Sequence, residues 1–266
     1  MSSATLLQAS GRKSLLTRPM AKLDEIWRHP IKGVGREALY TCELRTGETL
    51  PYDRTWAILH KDGQFNPGEW ARCRNFARAA SSPALMAVTC QFKEEDQEIT
   101  LKHPNMDPLA AHMDNERNAI VAWVGHLISV DRSPAYDVVK LESRGLTDSE
   151  FPSVSIMSKA SLRALGLRAG FDLAQHRFRG NLWIDDLPAW EEEEWVGRTV
   201  RIGEVELNVR ERIIRCQAIA SNPTTGKRDF DTLSHLETAR RTPEFGVNAE
   251  ITKPGKISLN DVVEVF

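Results

Sequence analysis

Short strand-like runs, each stopped by turn residues, constrain this chain most. In the first half they recur at short intervals, a pattern that suggests a sheet-rich barrel or sandwich. Leu23 to His29 reads as a strand ended by His29-Pro30, and Glu37 to Leu44 and Thr55 to His60 follow it. Asp62-Gly63 then marks a tight hairpin. Leu85 to Phe92 and Glu98 to His103 form a further pair joined by an acidic turn. A helix is expected to begin near Asp114 or Asn115, both good caps, with Ile120, Trp123, Val124, Leu127 and Ile128 on one core-facing side.

The second half starts afresh. Val154 to Met157 is a short strand, and Ser158 is placed to cap a helix carrying Ala160, Leu162, Leu165 and Leu167. Asn181 to Ile184, Val205 to Val209, Val247 to Ile251 and Asp261 to Phe266 are strand-like. Phe230 to Arg241 reads as a helix ended at Thr242-Pro243. The Glu191 to Glu194 run is expected on a solvated face, while Trp183, Trp190 and Trp195 pack a core or wall a pocket. The fold class is therefore mainly β with a few helices (α+β). The expected division is a leader over 1–19, a β domain over 20–130, a linker or long loop over 131–153, and a second sheet-rich unit over 154–266.

At 266 residues the chain can bury a sizeable core without staples. It is 41% hydrophobic and 27% charged, and its net charge of −2 gives no global field for nucleic acid or anionic membrane. No apolar stretch approaches the about 20 residues that cross a bilayer. Cys42, Cys73, Cys90 and Cys216 are scattered without paired spacing, which argues against a disulfide framework and for a reducing, cytoplasmic setting. Residues 1–19 carry Arg12, Lys13 and Arg18, several serines and no acid. They weakly match a mitochondrial transit peptide, but a disordered leader is the preferred reading.

Cys216 is the residue that carries chemistry. It follows the strand-like Ile213-Ile214, lies beside Arg215, and precedes the turn Asn222-Pro223-Thr224-Thr225-Gly226. A thiolate is a soft metal ligand or a nucleophile, and a neighbouring cation favours that form. The plainer reading is a cysteine packed as a small hydrophobe. The seven histidines lack HExxH or other close ligand spacing, and no GxGxxG, GxxxxGK[ST] or GxSxG is present. Ordinary zinc sites, nucleotide folds and serine hydrolases therefore lack support.

Six segments, in order, carry a family resemblance. They are His29-Pro30-Ile31-Lys32-Gly33, Asp53-Arg54-Thr55-Trp56, Ser155 to Leu162, Phe178-Arg179-Gly180-Asn181, Arg215-Cys216 with its Asn222 to Gly226 turn, and Phe245 to Glu250. Together they resemble the MOSC domain family, named for the C-terminal part of molybdenum cofactor sulfurases. The match is to its two-domain members of the amidoxime-reducing type. Gly33 and Gly180 depart from the family's usual serine and proline.

The resemblance implies a β-barrel MOSC core preceded by a barrel-like N-terminal domain. It also implies a molybdenum cofactor of the molybdopterin type, with Cys216 as metal ligand and catalytic residue. Lys32, Arg54, Arg179 and Arg215 would meet phosphate and pterin, since arginine offers a planar fork and lysine a point charge. Ser158, Lys159 and Ser161 would donate where strand turns into helix, and Asn181 would meet the pterin edge. The implied activity is reduction of small N-hydroxylated compounds. With no cysteine cluster for an iron–sulfur centre, electrons would come from a separate flavin, haem or ferredoxin partner. The alternative is a cofactor or sulfur carrier without redox turnover. The two glycine departures leave room for a fold that has lost its cofactor.

Overall fold

The computed structural model describes residues 20–142 and 144–266. The leader expected over 1–19 lies outside the described residues. Strands dominate, as the turn spacing predicts, and three helices punctuate them: α1 (Arg117–Gly125), α2 (Lys159–Ala169) and α3 (Thr232–Arg240).

The largest element is an eight-stranded sheet. Its spatial order is Val263–Val265, Thr199–Ile202, Val205–Ile214, Glu244–Lys253, Val154–Ser158, Leu182–Asp185, Lys22–Arg28 and Glu37–Leu39. Within this sheet Val154–Ser158 and Leu182–Asp185 pair in parallel and their neighbours antiparallel, and α2 supplies the crossover that a parallel pair needs. Ser158 caps α2 by accepting the Ser161 N–H, and Gly170 ends it in a left-handed conformation. Leu23 and Ile26 of the first strand are fully buried with Ile156, Leu182, Ile184 and Val247. Each such side chain contributes about 1.5–3 kcal/mol.

Strand pairing crosses the expected division. The strands Lys22–Arg28 and Glu37–Leu39, placed by sequence in an N-terminal domain, complete the sheet of the C-terminal half. The expected linker 131–153 contains a strand, Ala135–Lys140, antiparallel to Trp56–His60. Its buried Val138 and Val139 lie between polar flanks that hide the alternation. The second core gathers Ile31, Trp56, Ile58, Leu85, Leu101, Ile120 and Val124 around this three-stranded sheet, the meander Thr89–Lys93, Glu98–His103, Met106–His112, and α1.

Three local expectations change. Asp62-Gly63 makes a turn but no hairpin, because Trp56–His60 is flanked by Ile31–Lys32 and Ala135–Lys140 instead. Leu85 to Phe92 is a strand only from Thr89, since Pro83 starts a 3-10 turn through Ala87. The Glu191 to Glu194 run is not simply solvated: Glu192 and Glu193 are buried. Ser161 Oγ donates to Glu192 at 2.8 Å, and Arg240 from α3 pairs with Glu193.

Candidate functional site

The strand Val205–Ile214 leaves the sheet at Arg215-Cys216. The Arg215 N–H donates to the Pro243 carbonyl at 2.8 Å. Its guanidinium donates from Nε and Nη2 to Phe245 O at 2.9 and 2.6 Å, and from Nη1 to Phe178 O at 2.8 Å. Burial lowers its pKa to about 9, with Cys216 opposing, so it stays charged at neutral pH. Each of its three side-chain nitrogens bonds within the protein, which orients the segment, while the residue still lines the cleft beside Cys216.

Cys216 emerges extended and exposed at the head of the 3-10 turn Gln217–Ala220. The packed, apolar alternative belongs to Cys90, which is buried and whose thiol burial pushes up strongly. Cys216 instead lines a cleft of about 160 Å³ whose lining also includes Lys32, Gly33, Arg54 and Arg78 from the first half of the chain. Six cationic side chains line it (Lys32, Arg54, Arg78, Arg177, Arg179 and Arg215) against one carboxylate, Asp148. Such a cleft selects anions.

The cations are held from behind. Lys32 Nζ donates to Leu146 O at 2.6 Å and to Asp148 at 2.5 Å. The Asp148 side chain is exposed, and the Lys32 charge beside it holds its carboxyl below its usual range. Asp53 is fully buried, accepts the His29 N–H at 2.7 Å and pairs with Arg54. Burial opposes its ionisation, yet Arg54 and His29 hold its pKa well below the ordinary carboxylate value. Arg54 Nη2 in turn donates to the Arg179 carbonyl at 2.9 Å. Arg54 and Arg179 both sit in the left-handed region, at φ 54° and 47°. That conformation costs of order 1 kcal/mol or more and persists where surroundings enforce it.

Arg179 is the least satisfied of the group. Its Nη1 and Nη2 are buried without a hydrogen-bond partner among the described residues. Burial, Arg54 and Arg36 push its pKa down to about 9, which leaves it charged at neutral pH. An unpaired buried charge is costly, and an anion in the cleft would satisfy it.

The other expected ligands divide. Asn181 lines the cleft, but its amide is already engaged: Oδ1 accepts from Ser155 Oγ at 2.8 Å and Nδ2 donates to Trp27 O at 3.0 Å. Ser158, Lys159 and Ser161 do not line it. Ser158 accepts the Ser161 N–H as a helix cap, and Ser161 Oγ accepts the Trp190 N–H and donates to Glu192. Lys159 turns to Asp24 and Glu25 on the first strand. A strand-to-helix turn that offers donors in sequence has consumed them locally.

Sequence reasoning missed Cys73, Arg78, Thr147, Asp148, Ser153 and Ser155 in the lining. For Thr147, Asp148 and Ser153 the only signal was that 131–153 reads as a long loop, and Ser155 opens one of the quoted motif segments. For Cys73 and Arg78 no motif pointed there.

Fold and cleft together define the class. A MOSC N-terminal beta barrel domain matches residues 20–138 and a MOSC domain matches residues 147–264. The chain belongs to the MOSC family. Among its relatives, the mitochondrial amidoxime reducing component 2 of Bos taurus is 23% identical, over 95% of this chain and 85% of that protein. The human protein of the same name is 22% identical over the same shares. A molybdenum cofactor sulfurase of Drosophila grimshawi is 39% identical, over 30% of this chain and 10% of its own length. The YUAD protein from Bacillus subtilis is similar in structure, with a TM-score of 0.46 and 12% identity over 93% of this chain and 96% of that one.

Proposed function

We propose that this protein binds a molybdenum cofactor in the cleft and uses it to reduce small N-hydroxylated compounds, with electrons from a separate donor protein. The observation that carries the reading is the sharing of one cleft by the exposed Cys216 thiol and the buried, unpartnered nitrogens of Arg179. The first suits a sulfur-bound metal, the second an anionic tail. Relatives named amidoxime reducing component and molybdenum cofactor sulfurase support the same direction.

When bound, the cofactor supplies two-electron oxygen-atom transfer, the chemistry that protein side chains lack. The residues do the rest. Cys216 Sγ is the single protein ligand. Arg179 and Arg54 receive the phosphate, and Lys32 adds a third positive charge. Asp53 keeps the Arg54 fork from turning away. Ile213, Ile219 and Phe178 make the apolar part of the lining and reduce water around the reacting centre. Asp148, at the exposed edge, balances Lys32.

The test is turnover of an N-hydroxylated amidine with an artificial reductant, by protein from a host able to make molybdopterin. The wild type is expected to turn over, and Cys216→Ser to fold normally and lose the activity. Full activity in Cys216→Ser would exclude the ligand role. Cofactor transfer to a client enzyme without any turnover would support a carrier.

A further inference from the structure

The turn after Cys216 is not self-supporting. It is held by the other half of the chain. Asn222 Oδ1 accepts the N–H groups of Thr224 and Thr225 at 2.8 and 3.1 Å, which shapes the turn. Gly226 and Arg228 then pack on the segment 80–88 of the first half, and Pro223 is tied to it through Arg36. The Pro223 carbonyl accepts from Arg36 Nη2 at 3.0 Å. Gly226, at φ 67°, lies so close to Ala84 that a Cβ would meet the Ala84 Cα at 2.8 Å. Arg228 Nη2 donates to Ala80 O at 2.8 Å.

Arg36 is the centre of this contact. It is buried, and its Nη1 donates to Met86 O at 2.9 Å and Val88 O at 3.2 Å. Among the described residues it forms no ion pair with a carboxylate, so its charge is met by three carbonyls alone. That charge is also felt by Arg179 and His176, whose ionisation it lowers after burial and other groups. One guanidinium thus touches the Cys216 turn and stands behind the anion-binding arginine.

We propose that Arg36 is a positioning residue of the cleft: its fork seats the Pro223 turn on residues 86–88 and fixes where Cys216 stands relative to Lys32, Arg54 and Arg179. The link to cofactor rests on the function proposed above, while the seating of the turn does not. Lysine at this place would keep the charge but cannot span three carbonyls. Methionine would lose both.

The experiment is amide hydrogen exchange on the full chain, followed segment by segment, for Arg36→Lys and Arg36→Met, with molybdenum content measured on the same preparations. Both variants are expected to quicken exchange over 216–228 at least tenfold, with 244–253 unchanged. Molybdenum is expected to fall severalfold in Arg36→Met and less in Arg36→Lys. Unchanged exchange over 216–228 in folded variants would overturn the proposal, as would an increase spread evenly along the chain. Full molybdenum content despite a loosened turn would overturn the positioning role. If Arg36→Met does not fold, Arg36→Lys alone tests the same contact, with the same local quickening expected and its absence contradictory. A wild type that takes up no molybdenum would reject the function proposed above and leave the exchange comparison to decide the seating.

Discussion

Asp53 shows how one residue governs a site without touching its ligand. Its carboxylate is buried, accepts from the His29 backbone and holds Arg54, which holds the Arg179 carbonyl. Removing one partner of a buried pair costs about 3–5 kcal/mol, because the other charge is left uncompensated. Asp53→Asn is therefore expected to lower the unfolding free energy measured in urea by that order and to reduce molybdenum content. A variant as stable as the wild type would contradict this account of Arg54. Because its folded pKa is depressed, Asp53 contributes stability above the unfolded value of about 3.9 and loses it as pH falls through the folded one.

Glu192 behaves oppositely. Burial raises its pKa to about 7, with the Ser161 hydrogen bond opposing. Its contribution is full below the unfolded value of about 4.3 and is lost as pH rises through about 7. Glu192→Gln is thus expected to gain on the wild type by on the order of 2–3 kcal/mol between pH 5 and pH 8. Urea unfolding at the two pH values measures it, and parallel pH dependence in both proteins would refute it. Nothing in Glu191 to Glu194 announces this burial, because Ser161 and Arg240 arrive from distant elements. Cys216, Arg54 and Arg179 were legible because each sits in a motif whose residues meet in space.

At the scale of elements, turns decide the site. Gly33 lines the cleft at φ 74°, and a Cβ there would meet the Ala77 carbonyl oxygen at 2.5 Å. The obstacle is backbone, which cannot swing aside. Gly33→Ser, which restores the residue common in the family, is expected to cost about 1–3 kcal/mol from left-handed strain alone. Thermal unfolding would show it, and an unchanged transition would mean that segment 77–78 yields easily. Gly180 differs, for a Cβ there would meet the flexible Met157 side chain. The sequence marked both glycines as departures but held no trace of the neighbours that distinguish them. Likewise Ser158 was legible as a cap, and in that role its hydroxyl accepts the Ser161 N–H within the chain.

At the scale of the molecule, the two halves are interleaved. The strand Lys22–Arg28 closes the sheet beside Leu182–Asp185, and Gly255–Ser258 near the chain's end pairs with Thr41–Leu44 near its start. A fragment over 147–266 would lack these strands and expose the core face that Leu23 and Ile26 cover. It is expected to aggregate or to lack a cooperative transition, whereas the full chain unfolds in one step. An independently folded, cooperative fragment by circular dichroism would contradict the interleaving. Short strands and turns revealed the β class from sequence, but strand partners so distant in the chain leave no local pattern. The same interleaving brings Lys32 and Arg54 into one cleft with Cys216. The most direct measurement is therefore molybdenum content of the wild type, Cys216→Ser and Arg179→Ala, all purified from a host able to make molybdopterin. Close to stoichiometric metal in the wild type, and its loss in both folded variants, is the expected result. Equal metal in all three, or none in the wild type, would contradict a molybdenum site built from both ends of this cleft.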